Sequence, residues 1–163
     1  MLTIATLATQ LDTQVMNTDA EAPARTAWAL AWTNYFYNAT ANGIPIPPGA
    51  LTGAQNALET GLTGFSTVVM GVPQGPLKIQ AGLISFWGIL SASFATIFTA
   101  CIGITPPPLL ATVPAALASQ FVINNMPNVT KTQALMNIAT ALHTTAGIGG
   151  IATFPPSVTF SIL

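Results

Sequence analysis

Charged side chains are almost absent from this sequence. Only seven of its 163 residues are Asp, Glu, Lys or Arg, whereas an ordinary soluble domain of this length has about 40. None occurs between residues 79 and 130. A free monomer depends largely on charged side chains to stay dissolved, so the sequence predicts that most of the surface faces something other than bulk water. The seven charged residues are Asp12, Asp19, Glu21, Arg25, Glu59, Lys78 and Lys131.

Apolar content does not limit folding. Hydrophobic residues make up 51% of the chain, and its mean hydropathy is +0.61. The remaining polarity is mainly neutral and comes from Thr, Ser, Asn and Gln, which hydrogen-bond to water or to a neighbouring chain without the desolvation penalty of a charge. We therefore expect a single helical domain over residues 1–163. Its neutral surface can be buried by other proteins.

Charge and cysteine content argue against several kinds of partner and site. Nucleic-acid binding neutralises several phosphates with clustered basic residues, but Arg25, Lys78 and Lys131 are scattered along the chain. The single cysteine, Cys101, cannot form an intrachain disulfide or a cysteine zinc site. No basic residue precedes the first apolar run, so a cleavable signal peptide is not expected.

Apolar spacing predicts an all-α fold of about six helices with Pro-rich connectors. Prolines within residues 45–48 and 105–108 mark two stiff connectors. Residues 151–163 are expected to form an extended C-terminal tail, which Pro155 and Pro156 interrupt. The predicted helices span about residues 3–17, 23–42, 49–64, 76–103 and 109–121, and a sixth begins near Thr130, which has capping-box spacing to Gln133. Glycines and prolines within residues 65–76 predict a loop there.

The second predicted helix has an aromatic stripe. Trp28, Trp32 and Tyr35 recur at helical spacing. Such a stripe can stack ligand rings, but aromatic side chains also dominate protein cores and subunit contacts. We expect a core or subunit-contact face, and these three residues are our first interface candidates.

The fourth predicted helix is long, central and apolar. One face has large residues such as Trp87, and the other has the small residues Ser85, Gly88, Ala92 and Ala95. A face of small residues lets another helix approach closely, whereas large residues fill a core. The four small residues are therefore the remaining interface candidates.

No catalytic group is predicted. His143 is the only histidine, and it suits a general base; it also lies in the last turn of a predicted helix, where the helix dipole favours histidine. The four acidic residues all lie within residues 12–59, so spacing ties none of them to His143 in a Ser-His-Asp set. Phosphate-binding and calcium-binding loop motifs are absent. We expect no enzyme activity, cofactor, metal ion or small-molecule substrate.

Two interpretations of function remain open. In the first, the chain is a small integral membrane protein with one span at about residues 81–104, an uncharged segment long enough to cross a bilayer. In the second, the chain is a structural subunit of a large assembly, and copies of itself or other structural proteins cover its surface.

The second interpretation accounts for more of the sequence. A membrane span explains one segment, whereas charge is depleted in the helices, the connectors and the tail alike. A charge buried in an interface must be compensated by pairing, and neutral groups need no such compensation. We therefore expect a virion component, from the capsid or the tail, or a subunit of another large assembly.

Overall fold

The chain folds into a mostly helical structure. A computed structural model describes residues 2–14, 20–41, 43–97, 103–124, 126–154 and 158–162, without the side chains of 41, 94–97, 103, 154 and 158. These ranges contain six α-helices, which confirms the number predicted from apolar spacing. They are α1 (Ile4–Gln14), α2 (Glu21–Phe36), α3 (Pro48–Gly61), α4 (Gly75–Ile97), α5 (Val113–Asn124) and α6 (Lys131–Leu142).

Local sequence signals explain several helix starts. Proline is tolerated in the first turn because the N–H that it lacks has no partner inside the helix there. Pro23, Pro48 and Pro114 each occupy such a position, in α2, α3 and α5. Before α6, the Thr130 side chain accepts a hydrogen bond of 3.2 Å from the Gln133 backbone N–H, as the capping-box spacing predicts.

Short strands accompany the helices, so the all-α prediction is too narrow. Two of the strand pairs are small hairpins of two residues per strand. The hairpin within residues 65–76 lies in a predicted loop. The other begins at Thr40, inside the predicted helix over residues 23–42, because that helix ends at Phe36 in the structure. The remaining three strands form one antiparallel sheet. The strands are β1 (Thr40–Ala41), β2 (Ile44–Pro45), β3 (Val68–Val69), β4 (Val72–Pro73), β5 (Gly103–Thr105), β6 (Ile151–Phe154) and β7 (Val158–Ser161).

The segment predicted to be an extended tail belongs to this three-stranded sheet. Strand β6 pairs with both β5 and β7, and Ala152 lies opposite Ile104 on one side and Phe160 on the other. Ala152 and Ile162 are buried, whereas Ile151 is exposed. The extended backbone is thus paired within the chain, with one face directed at the core. Pro155 and Pro156 lie outside the described residues.

The sheet is held against α4 by two specific contacts. The Ser91 hydroxyl accepts a hydrogen bond of 3.3 Å from the Ile104 N–H and donates one of 3.0 Å to the Ile104 carbonyl. Gly150, directly before β6, lies so close to the Trp87 ring that a Cβ there would be 2.6 Å from Trp87 Cη2. The C-terminal hairpin therefore packs on α4, which explains why it does not project from the fold.

The centre of the core is aromatic and joins α2 to α4. The ring of Phe36 on α2 lies 5.2 Å from that of Phe86 and 5.4 Å from that of Trp87, both on α4. Trp87 is fully buried and donates a hydrogen bond of 3.0 Å from Nε1 to the Ala146 carbonyl. Large residues of α4 therefore fill the core, as their spacing predicts.

Helix α4 does not reach the end of the predicted helix over residues 76–103. It is described over Gly75–Ile97, and Gly103–Thr105 forms strand β5, so residues 81–104 do not form one continuous helix. None of the helices in the described ranges has both the length and the apolar character of a membrane span.

Helices α3 and α4 pack with their backbones in contact. A Cβ placed on Gly61 would lie 2.5 Å from Gly82 Cα, and a Cβ on Gly82 would lie 2.7 Å from Leu58 Cδ1 and 3.0 Å from the Leu58 carbonyl oxygen. At Gly61 the close atoms belong to the backbone of α4, so only glycine fits without moving that helix; at Gly82 a side chain would have to displace Leu58. The pair of glycines therefore sets the spacing of the two helices.

Substitution of Gly61 by alanine tests this packing. The added methyl group must push the two backbones apart, and overpacking of this kind costs about 1–3 kcal/mol. We expect the urea midpoint of Gly61→Ala to fall accordingly, with little change in the slope of the transition.

Gly88→Ala is the matched control for this change. Gly88 lies on the same helix pair, but a Cβ there meets no atom within 4 Å. Because alanine is the better helix former, Gly88→Ala should gain about 0.5–1 kcal/mol. Equal effects of the two substitutions would contradict the proposed backbone contact.

Candidate interaction surface

The aromatic stripe of α2 belongs to the interior. Trp32 is 3% exposed and Tyr35 is 0% exposed, and their ring centroids lie 5.4 Å apart. Trp28 is half-buried and packs against the same cluster. Trp32 and Tyr35 therefore have no surface left for a partner, and of the two alternatives predicted for this stripe, they occupy the core.

The small-residue face of α4 lies on the surface. Ser85, Gly88 and Ala92 are exposed, together with the larger apolar side chains of Ile84 and Ile89. Ala95 is on the same helix, but its side chain is outside the described part of the chain. No charged residue occurs on α4 after Lys78. The outward face of this helix is thus neutral and largely apolar.

A shallow depression, which we call the α3–α4 groove, runs along this face. Its volume is about 560 Å³. It adjoins the close helix contact at Gly61, and small residues of both helices form most of its lining. The lining residues are neutral: Asn56, Ala57, Thr60 and Gly61 from α3, with Ser85, Gly88 and Ile89 from α4.

The loop between α3 and α4 carries an exposed apolar hairpin. Strands β3 and β4 are joined by Met70 and Gly71, whose φ angles are 49° and 80°. Positive φ at both positions is the requirement of a type I′ turn. Met70 is 99% exposed, and the three valines beside it are each more than half exposed. We call this element the hairpin tip: Val68, Val69, Met70, Gly71 and Val72.

Sequence reasoning missed the hairpin tip. The segment 65–76 was predicted to be a loop because of its glycines and prolines. Its two strands have only two residues each, which is too short for alternation to be recognised. The available signal was the order of residues, with glycine second in a dipeptide flanked by valines, as in the Asn-Gly and Asp-Gly turns of hairpins.

Three of the charged residues form hydrogen bonds to uncharged groups between α2 and the end of α3, and we call these bonds the network. Glu21 accepts hydrogen bonds from the Gly64 N–H, at 2.8 Å, and from the Ser66 hydroxyl. These bonds hold the pKa of the Glu21 carboxyl below its usual value. Arg25 donates to Thr63 at 2.8 Å, and Glu59 accepts from Thr26 at 2.7 Å.

The network connects α2 to the C-terminal end of α3 and the segment after it. Its hydrogen bonds connect the first turns of α2 with residues 59–66, so these charges are engaged within the chain. Two further charges form the ion pair between Lys131 and Asp12, at 2.6 Å, which joins α6 to α1. Across the described residues, His, Cys, Asp and Glu side chains form no group that could hold a metal ion.

His143 is paired with a core tyrosine. The Tyr35 hydroxyl and His143 Nδ1 share a hydrogen bond of 2.5 Å, where α6 passes into a π-helical turn over His143–Gly147. Burial lowers the pKa of His143 and raises that of Tyr35, so both groups are neutral near pH 7. His143 Nδ1 is engaged by Tyr35, which gives His143 a structural role at this helix end.

Comparison with protein-family models, curated protein sequences and solved structures finds no match for this chain. Function is therefore inferred from the two exposed apolar elements, the hairpin tip and the α3–α4 groove. Among the described residues, two buried polar atoms, Arg25 Nε and Trp32 Nε1, have no hydrogen-bond partner.

The Tyr35–His143 pair predicts acid-sensitive folding. The folded-state pKa of His143 lies below its ordinary value of 6.5, so the unfolded chain binds the proton at higher pH than the folded chain. The stability that neutral His143 confers is complete above pH 6.5 and is lost as pH falls through the lowered pKa. We expect the urea midpoint to decrease from about pH 7 to about pH 5.

His143→Gln is the control for this pH effect. The substitution removes the only histidine and keeps an acceptor for the Tyr35 hydroxyl. The pKa of Glu21 is lowered from 4.5, so its titration falls below this pH window. The urea midpoint of the variant should hardly change between about pH 7 and about pH 5. If it fell as much as that of the wild type, the pH effect could not be assigned to His143.

Proposed function

We propose that the chain is a non-catalytic structural subunit of a large protein assembly and that it acts through protein–protein interfaces. The observation that carries this proposal is the exposed apolar surface formed by the hairpin tip and the outward face of α4. Large exposed apolar patches mark interaction sites, since monomeric soluble proteins rarely keep them in water.

The area and composition of the exterior support the proposal. The accessible surface is 7894 Å², close to the roughly 7,700 Å² expected for a compact monomer of this mass. The fold is therefore as compact as an ordinary domain. Among the described residues, however, thirteen large apolar side chains are exposed and only six charged residues are present. The accessible surface area is therefore ordinary, but the residues that form the surface are unusually apolar and uncharged.

The use of the few charges also favours burial of the exterior in an assembly. Glu21, Arg25 and Glu59 hydrogen-bond to neutral groups of the chain, and Asp12 pairs with Lys131. These charges lie away from the groove and the hairpin tip, whose residues are all neutral. A neutral surface loses little on burial, because no charge has to be desolvated and re-paired.

The form of assembly that we propose is a virion, with this chain as a capsid or tail component. Such lattices combine small subunits with surfaces covered on most sides, which suits a chain with neutral, apolar faces and no proposed catalytic group. The partners in this proposal are copies of the chain itself, other structural proteins, or both. Neither nucleic acid nor a small-molecule substrate is among them.

Gradient centrifugation of the protein after detergent-free lysis tests this function. We expect the chain to sediment as large, lipid-free particles, because protein neighbours cover its apolar faces. Recovery at the lipid density in a form that resists alkali would contradict an assembly subunit and indicate membrane insertion. A chain that stays soluble and monomeric at high concentration would also overturn the proposal.

A further inference from the structure

We propose that the hairpin tip of one copy inserts into the α3–α4 groove of a second copy, so that copies join head to tail. This inference rests on the proposed function and names its partner and its contact. The two surfaces are separate on one chain, and each one is exposed there.

The hairpin tip has an unfavourable backbone conformation and an exposed apolar side chain, and no described residue of its own chain covers it. Met70 adopts φ of 49°, a region in which a long side chain is unfavourable and Asn, Asp or Gly is usual. Its side chain is also 99% exposed. A methionine gains nothing in solution from this position, whereas burial of its flexible apolar side chain in a partner offsets both unfavourable terms.

The groove has the properties that the tip requires. It is a shallow, open depression with a volume of about 560 Å³, a shape that a protruding turn can enter. A Cβ on Gly88 would meet no atom within 4 Å, so the groove has open space beside Gly88. The neutral side chains of Asn56 and Thr60 border it and supply hydrogen-bonding groups for the backbone of the turn.

The shared absence of charge favours a second copy as the occupant. Neither the tip nor the lining of the groove contains a charged residue. A charged partner would lose hydration at either surface without compensation, whereas two neutral apolar surfaces bury each other without that penalty. The tip and the groove of this chain are such a pair, and the tip cannot occupy its own groove while Met70 is almost fully exposed.

The contact is heterologous, because different patches of the two copies meet. Heterologous contacts repeat and build rings or open arrays, in contrast to a two-fold contact that closes at a dimer. A stable interface buries about 800 Å² per partner, roughly a tenth of the 7894 Å² surface. The tip alone covers less than this, so a single contact is weak and assembly depends on concentration.

Two complementary variants test the contact. Met70→Asn removes the apolar tip and places the preferred Asn-Gly pair in the type I′ turn, so the fold should be at least as stable as the wild type. Gly88→Leu fills the groove where the structure has open space. Each variant alone should associate at least about tenfold more weakly than the wild type, as sedimentation velocity measures it.

Mixing the two variants distinguishes a heterologous contact from other kinds. The Met70→Asn chain keeps its groove, and the Gly88→Leu chain keeps its tip, so an equimolar mixture above the wild-type assembly concentration should form 1:1 pairs and nothing larger. Met70→Leu and Gly88→Ala keep an apolar tip and an open groove and should assemble like the wild type. Urea unfolding confirms that each variant is folded.

The outcomes separate this inference from the proposed function. If the wild type assembles and the two variants assemble equally well, the tip-in-groove contact is wrong and the structural role stands. If both variants lose association but their mixture forms no pairs, the contact is again wrong. If the wild type remains monomeric at high concentration, the structural role fails, and the inference fails with it.

Discussion

The contact between the α3 and α4 backbones is the constraint on which the rest of this structure depends. Gly61 and Gly82 leave no room for a side chain between the two helices, so the helices pack closer than side-chain ridges would allow. The same closeness leaves a shallow groove on the outer face and brings the large residues of α4 against the aromatic core. It also makes the connecting segment the end of a rigid helical pair, from which the hairpin tip projects.

The lack of charge on the groove and the hairpin tip is the second feature on which the proposed role rests. In most domains a ring of charges surrounds each apolar patch and keeps copies apart. Here the described charges are largely engaged, in the network of Glu21, Arg25 and Glu59 and in the Asp12–Lys131 pair. Nothing charged remains on the α3–α4 groove or the hairpin tip to oppose association. These two observations support the proposed role as an assembly subunit.

Local features of the fold were predictable from the sequence, and long-range pairings were not. Helix count, the Thr130 cap and the inward large face of α4 follow from spacing along one segment. Strand β6 pairs with β5, which lies almost fifty residues earlier, and no local pattern encodes that partner. Likewise, an aromatic stripe suits a core or an interface equally, so Trp32 and Tyr35 were assigned by the structure.

Oxidation of Met70 in the assembled protein tests the central claim most directly. The rate of sulfoxide formation by hydrogen peroxide follows side-chain exposure and can be read by mass spectrometry, with free methionine as the internal standard. Met70 is 99% exposed in one copy, so we predict fast oxidation in chains dissociated by dilution and strong protection in the assembled particle. Equal rates in the two states would show that the hairpin tip stays in solvent and would contradict the account.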